Sequence, residues 1–285
     1  MRSAAAARAL AAGFLACAAA PAAPQNDLST RAMVERVTTY VSDYQQKLTS
    51  VVADEDYKQD IVDQTPLESS MPRARRLRSE VFFVFEAVGR QWMAIRDTIL
   101  VDHVPIRDRL SARAALETMP PAEVRRRFAQ MNAHWNIGRI IRNFNEPTLG
   151  LLIFDREHQP RFGFDRRSVV RVRDTILITL AFRERDRPTL IRDERDGPAY
   201  SRGEIVADAS GVIRRTALRL SLKDTKVELT TEYAFDEKLG MWVPSVFRER
   251  YERGREGSKE FERIACEAVY SNYRRFDVLT RIKNP

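Results

Sequence analysis

Between Phe162 and Phe276 the chain repeats one pattern: an alternating apolar and polar stretch, a short polar turn, then another such stretch. Leu218-Arg219-Leu220-Ser221-Leu222-Lys223 shows the period of two most plainly, sending leucines to one strand face and polar side chains to the other. Strands are predicted at 169–172, 176–182, 205–207, 212–222, 226–235, 241–251 and 261–276, with a short edge at Leu190-Ile191. Arg173-Asp174, Asp196-Gly197-Pro198, Asp208-Ala209-Ser210-Gly211 and Leu239-Gly240 supply the turns. This spacing predicts a long antiparallel meander, apolar on one side and wetted on the other. Such a sheet must close its apolar face with a second sheet or with helices.

The N-terminal half supplies covers. From Met33 the apolar residues Val34, Val37, Tyr40, Val41, Tyr44 and Leu48 recur at three- and four-residue steps, which predicts a helix at about 29–49 capped by Ser29 or Thr30. Strands follow at 51–57, 77–85 and 92–101, with a loop at 64–73, a turn at Val88-Gly89-Arg90, and a second turn at Asp102-His103. Phe83 and Phe85 fall on one strand face, Phe82 and Val84 on the other. The strand pattern then breaks over about 108–154. Pro120-Pro121 opens a helix bearing Val124, Phe128, Met131 and Trp135, and 148–154 reads as a short buried helix. The fold class is mainly β (α+β): a single curved antiparallel sheet forming an incomplete barrel wrapped over the N-terminal helix and this central helical insert. No repeat unit or clean linker divides the chain, so 23–285 reads as one half-barrel domain.

Residues 1–22 read as a secretory signal peptide, with Arg2 and Arg8 before an Ala-rich apolar run and a small-x-small site at Ala20-Pro21-Ala22. Phe14-Leu15-Ala16-Cys17 also resembles a lipobox, so Cys17 is a candidate lipid anchor. Removal of the signal takes away two arginines from a chain of net charge +8 and leaves Cys266 as the sole cysteine, unable to form an internal disulfide. Cys266 reads as a small core residue on a strand. No later apolar run approaches the roughly 20 residues of a spanning helix. The expected location is exported: periplasmic or envelope-associated. An anionic envelope surface suits the basic charge, and export argues against nucleic acid as a partner.

Gly203-Glu204-Ile205-Val206-Ala207-Asp208-Ala209-Ser210-Gly211-Val212-Ile213-Arg214-Arg215 resembles the strand–turn–strand pattern of the LolA/LolB-like periplasmic lipoprotein carriers. Glu232-Tyr233 and Leu239-Gly240-Met241-Trp242-Val243-Pro244 are similar to the next strands of that family. The chain also resembles a group of uncharacterised secreted bacterial proteins, through Trp135-Asn136-Ile137-Gly138, Asn145-Glu146-Pro147-Thr148 and Tyr270-Ser271-Asn272-Tyr273-Arg274-Arg275-Phe276. The carrier resemblance implies an incomplete barrel whose apolar cavity holds a lipid or lipoprotein acyl chains without covalent chemistry. The long 102–160 region departs from a minimal carrier and has the bulk to fill that cavity.

Motifs for catalysis are absent. His103, His134 and His158 have no i, i+4 spacing and no HExxH, and G-x-S-x-G, G-x-G-x-x-G and Walker A patterns are missing. No catalytic residue, metal or cofactor is expected. The ligand-binding candidates are aromatic: Phe83, Phe85, Trp92 and Trp242, either lining an acyl-chain cavity or packing the helix stripe. Asn136, Arg142 and Asn145 form a candidate polar rim, or serve turn geometry. The alternative to a lipid carrier is a structural or protein-interaction module of the same fold with a filled core. A secreted hydrolase acting through loop carboxylates stands third.

Overall fold

The computed structural model describes residues 27–64, 73–86, 91–140, 142, 146–192 and 197–276. The readings on the signal peptide, Cys17, Val88-Gly89-Arg90 and Asn145 lie outside the described residues.

Helix α1 (Thr30–Lys47) begins where Ser29 accepts a hydrogen bond from the Ala32 N–H, and Lys47 stands in its last turn. Its stripe of Met33, Val37, Val41 and Tyr44 is buried, as the three- and four-residue spacing requires. The chain then enters strands β1 (Val51–Gln64), β2 (Ala74–Glu86), β3 (Gln91–Val101) and the short β4 (Val104–Pro105). Helices α2 (Ala112–Thr118) and α3 (Pro121–Ala133) follow, then a 3-10 turn at Leu149–Phe154. The second strand series comprises β5 (Phe162–Val172), β6 (Thr175–Glu184), β7 (Ile191–Arg192), β8 (Pro198–Ala199) and β9 (Arg202–Asp208). It continues through β10 (Ile213–Leu222), β11 (Thr225–Asp236), β12 (Met241–Arg253) and β13 (Glu262–Arg275).

Eleven of these strands form one sheet in the order β4-β3-β2-β1-β13-β12-β11-β10-β9-β6-β5. All its pairings are antiparallel, and β7 pairs with β8 separately. The two ends, β4 and β5, do not meet, so the barrel is incomplete. The first and last strands of the chain lie side by side, β1 against β13, and this pairing joins the N-terminal hairpins to the C-terminal meander.

The sheet curls around α1. Tyr44 meets Trp92 of β3 edge-on, with ring centroids 5.9 Å apart. From the same helix Arg36 donates to the Ala209 carbonyl at the β9–β10 turn, 2.9 Å away. The turn is built for this approach: Asp208 accepts from the Ser210 and Val212 N–H groups, and a Cβ on Gly211 would lie 2.7 Å from the Arg36 backbone. Gly211 also sits at φ +93°, a conformation that costs glycine nothing.

The insert is divided between the two faces. Leu151, Ile153 and Phe154 enter the inner core beside α1, Phe83, Tyr251 and Ile264. Helices α2 and α3 instead cover the outer face of the β1–β3 region, where Ala112, Leu116, Val124 and Phe128 pack on Val52, Phe82, Met93 and Ile95. Sequence periodicity finds the apolar stripe of α3 but not the face it serves, because β2 is apolar on both sides through Phe82 and Phe83. The short α2 is not predicted by the sequence. Ser111 caps it, and the Asp97 carboxylate accepts from the Ala112 N–H at 2.9 Å.

Both covers should carry weight. Phe128→Ala on the outer face and Phe154→Ala on the inner face should each lower unfolding stability by about 3–5 kcal/mol. Urea denaturation checks this; a loss under about 1 kcal/mol for either would show that its cover is not packed as described.

Candidate functional site

The segment between α3 and the 3-10 turn carries the chain from the outer face to the interior. Gln59 of β1 donates to the Trp135 carbonyl at 3.1 Å and accepts from the Ile137 N–H at 3.2 Å. Glu262 of β13 is fully buried and accepts from the N–H groups of Arg139 and Ile140 at 2.8 and 2.9 Å. Gly138 fits between them at φ +81°; a Cβ there would lie 2.6 Å from Ile264 and 2.8 Å from the Glu262 carboxylate. Arg142 is buried and donates to the Ile137 carbonyl at 2.8 Å and to Gln59. Asn136 sits half-buried in the same crossing.

Next to this crossing the interior is polar. Tyr57 and Tyr251 both donate to Glu249, the Tyr57 bond being 3.0 Å. Burial pushes the Glu249 carboxyl above the usual range. Cys266 lies in the same region, and burial pushes its thiol up to about 12, assisted by the nearby Glu249 charge. A thiol held so far from ionisation is a poor nucleophile. Arg96 and Glu55 form a buried ion pair, with the guanidinium 5.2 Å from the centre of the Tyr57 ring. Among the described residues no group of three or more His, Cys, Asp or Glu side chains is arranged to hold a metal ion. No helix among them is long and apolar enough to cross a membrane.

The aromatic candidates are in contact with protein. Phe83 is fully buried and stacks near Tyr273, with centroids 6.2 Å apart. Trp92 is buried between Tyr44 and Phe85. Phe85 and Trp242 are partly buried against the inner core. Trp242 lies under the Arg214 guanidinium, 3.4 Å from the ring centre, and beside Phe235. Phe85 and Trp92 thus meet beside Tyr44, Phe83 meets Tyr270 and Tyr273 of β13, and Trp242 meets Phe235 and Arg214.

A separate opening lies at the end of the sheet formed by the last residues of β6, β10 and β12 and the first of β9, β11 and β13. It is a cleft of about 1100 Å³. Val62, Pro198, Tyr200, Leu220, Val227, Tyr251, Ile264 and Ala265 give it apolar surface. Val62 and Tyr200 are 55% and 43% exposed, unusual for large apolar side chains and explained by an opening they line. Tyr200 is held in place: Arg187 donates to its hydroxyl at 3.2 Å, and buried Glu184 accepts from the N–H groups of Leu190 and Ser201. Around this surface stand Arg183, Arg202, Arg219, Lys226, Arg250 and Arg263, with Glu228 and Glu252 as the acidic members of the outer row. Glu228 pairs with Arg219 at 2.9 Å; Glu252 pairs with Lys226 at 2.9 Å and Arg263 at 3.3 Å. The cleft thus joins apolar surface to an excess of positive charge.

Sequence reasoning missed these residues. Each arginine occupies a polar position of an alternating strand, which reads as ordinary solvated surface. Only the strand register brings them to one end.

No protein-family model and no curated protein matches the chain. Solved structures do. A LolA superfamily protein from Nitrosomonas europaea is 13% identical with a TM-score of 0.33, and the match covers 90% of this chain and 98% of that one. An outer membrane lipoprotein-sorting protein domain from Vibrio parahaemolyticus is 9% identical with a TM-score of 0.37, covering 87% and 95%. A DUF1329 family protein from Desulfovibrio piger is 13% identical with a TM-score of 0.38, covering 87% and 95%. Each of these is a likeness at low sequence identity.

Glu146 lies between β3 and α3. Its carboxylate accepts from the Ala94 N–H of β3 at 2.9 Å and pairs with Arg125 of α3 at 3.3 Å. Burial pushes its pKa from 4.5 up to about 7, against the opposing pull of Arg125. The folded state therefore holds this proton more tightly than the unfolded chain, so the stabilisation is complete below about pH 4.5 and is lost as pH rises through about 7. Relative to Glu146→Gln, the wild type should lose about 3 kcal/mol between those limits. Thermal melts of both proteins across that range check the sign; parallel curves would show that the carboxyl ionises in the fold without penalty.

Proposed function

We propose that the protein is an exported, envelope-associated binding protein that takes the acyl portion of a lipid or lipoprotein into the cleft at the sheet end, with no covalent chemistry. The observation that carries this reading is the joining of about 1100 Å³ of open space, exposed apolar side chains and a basic rim in one place. Ligand sites are concave, largely apolar and furnished with a few oriented polar groups. An acyl chain laid over Val62 and Tyr200 loses water-exposed area at roughly 25 cal/mol per Å², which favours binding without any reaction. The aromatic candidates Phe83 and Trp92 are packed instead by protein, Trp92 by Tyr44 of α1 and Phe83 by Tyr270 and Tyr273. The buried state of α1 and of Leu151–Phe154 supports a second reading, a filled-core module acting through its surface.

Titration calorimetry with a long-chain monoacylglycerol below its aggregation limit separates the two. Saturable binding to a single site is expected. The pair Val62→Glu and Tyr200→Glu changes exposed residues, so the fold should survive, with binding weakened by about tenfold or more. Absence of saturable binding by the wild type would overturn the acyl-binding reading and leave the surface module.

A further inference from the structure

Three arginines on adjacent strands face one another across the sheet. The register sets Arg183 of β6 opposite Arg202 of β9, and Arg202 opposite Arg219 of β10. Directly opposed side chains have Cβ atoms about 4.5–5.5 Å apart, and like charges in that arrangement destabilise a sheet. Arg219 has a partner in Glu228. Among the described residues, no carboxylate lies within ion-pair distance of Arg183 or Arg202.

The row continues towards β5 in a smaller pocket of about 340 Å³ that shares all three arginines with the large cleft. Arg167 and Arg185 also line it. Arg185 lies across Gly163, where a Cβ would stand 2.2 Å from the guanidinium carbon, so the missing side chain admits the cation. Asp165 and Glu204 are the acidic groups of the pocket, and Glu204 is engaged by Arg215 at 3.4 Å. Five arginines thus line one small space, with Asp165 and Glu204 as its acidic members. The arrangement calls for a compact, multiply charged anion. A phosphate ester carries about two negative charges and three terminal oxygens on one tetrahedral centre, so it can take the N–H forks of three arginines, whereas a carboxylate offers one charge and two oxygens.

We propose that Arg183, Arg202 and Arg219 bind a phosphate monoester, the headgroup of the amphiphile whose chain lies in the adjoining cleft. This rests on the acyl-binding reading for the chain, whereas the phosphate contacts stand on the register and the missing counter-charges. The test is calorimetry of the protein with lysophosphatidic acid, with a monoacylglycerol of the same chain, with a fatty acid of that length, and with glycerol 3-phosphate. The variant Arg183→Gln/Arg202→Gln is titrated beside the wild type. Lysophosphatidic acid should bind roughly 30-fold tighter than the monoacylglycerol, and the variant should lose that preference while keeping its monoacylglycerol affinity. The preference should also shrink as salt is raised. Because the substitutions remove opposed like charges, the variant should melt no lower than the wild type.

Equal affinity for the phosphate-bearing and neutral lipids would overturn the phosphate site while leaving the cleft reading intact. Fatty acid binding as tightly as lysophosphatidic acid would overturn it in favour of general anion attraction. If the monoacylglycerol fails to bind but glycerol 3-phosphate binds and the variant abolishes it, the acyl reading falls. The arginines would then stand as a site for a free phosphate ester.

Discussion

An antiparallel sheet with one apolar face has to bury that face, and nearly every other feature of this chain follows from how it does so. The stripe of α1 runs along the inside, and Met33, Val37, Val41 and Leu48 have no exposed surface at all. Because this helix contacts the sheet near both ends, at Trp92 and at the β9–β10 turn, the sheet must curl rather than lie open. One helix does not fill the space so enclosed. Leu151, Ile153 and Phe154 supply the remaining volume from a 3-10 turn, whose Gly150 lets the backbone close on Thr216.

That second cover has to reach the inside from α3, which sits on the outside. A chain crossing a sheet end exposes backbone N–H groups to a buried environment, and each unsatisfied group is costly there. The crossing is accordingly furnished with acceptors. Gln59 and Glu262 take the N–H groups of Ile137, Arg139 and Ile140, and Arg142 holds the Ile137 carbonyl. The buried polar cluster of β1, β12 and β13 therefore has a structural purpose at its upper end: it is where the insert is tied to the sheet.

Much of this was legible in the sequence because it depends on local period. The strand from Lys226 to Phe235 and that from Met241 to Tyr251 alternate, and their observed bounds differ from the predicted ones by only a residue or two. The helix at about 29–49 is Thr30–Lys47, and the short buried helix at 148–154 is a 3-10 turn at Leu149–Phe154. What period cannot show is which face a cover serves. Val124 and Phe128 announce a helix, but only the double-sided apolar character of β2 explains why that helix lies outside. The candidate cleft was illegible for a related reason. Arg183, Arg202 and Arg219 are far apart in sequence, and a shift of one residue in either pairing would turn the side chains to opposite faces.

Register also decides how the surface charge behaves. Many opposed positions on the sheet carry opposite signs, as with Arg219 and Glu228, Lys226 and Glu252, or Arg248 and Glu267, and where like charges oppose, as in the Asp54–Glu80–Asp97 row, Arg274 and Arg109 pair with them. Exposed pairs of this kind contribute little stability each, yet they leave few charges without a neighbour of the other sign. In the β6–β9–β10 row Arg183 and Arg202 have no such partner among the described residues, and both line the cleft. The interior of the half-barrel is packed by α1 and Leu151–Phe154. The apolar surface and the uncompensated charge that remain lie together at its end, so a ligand suited to both would be amphiphilic and anionic.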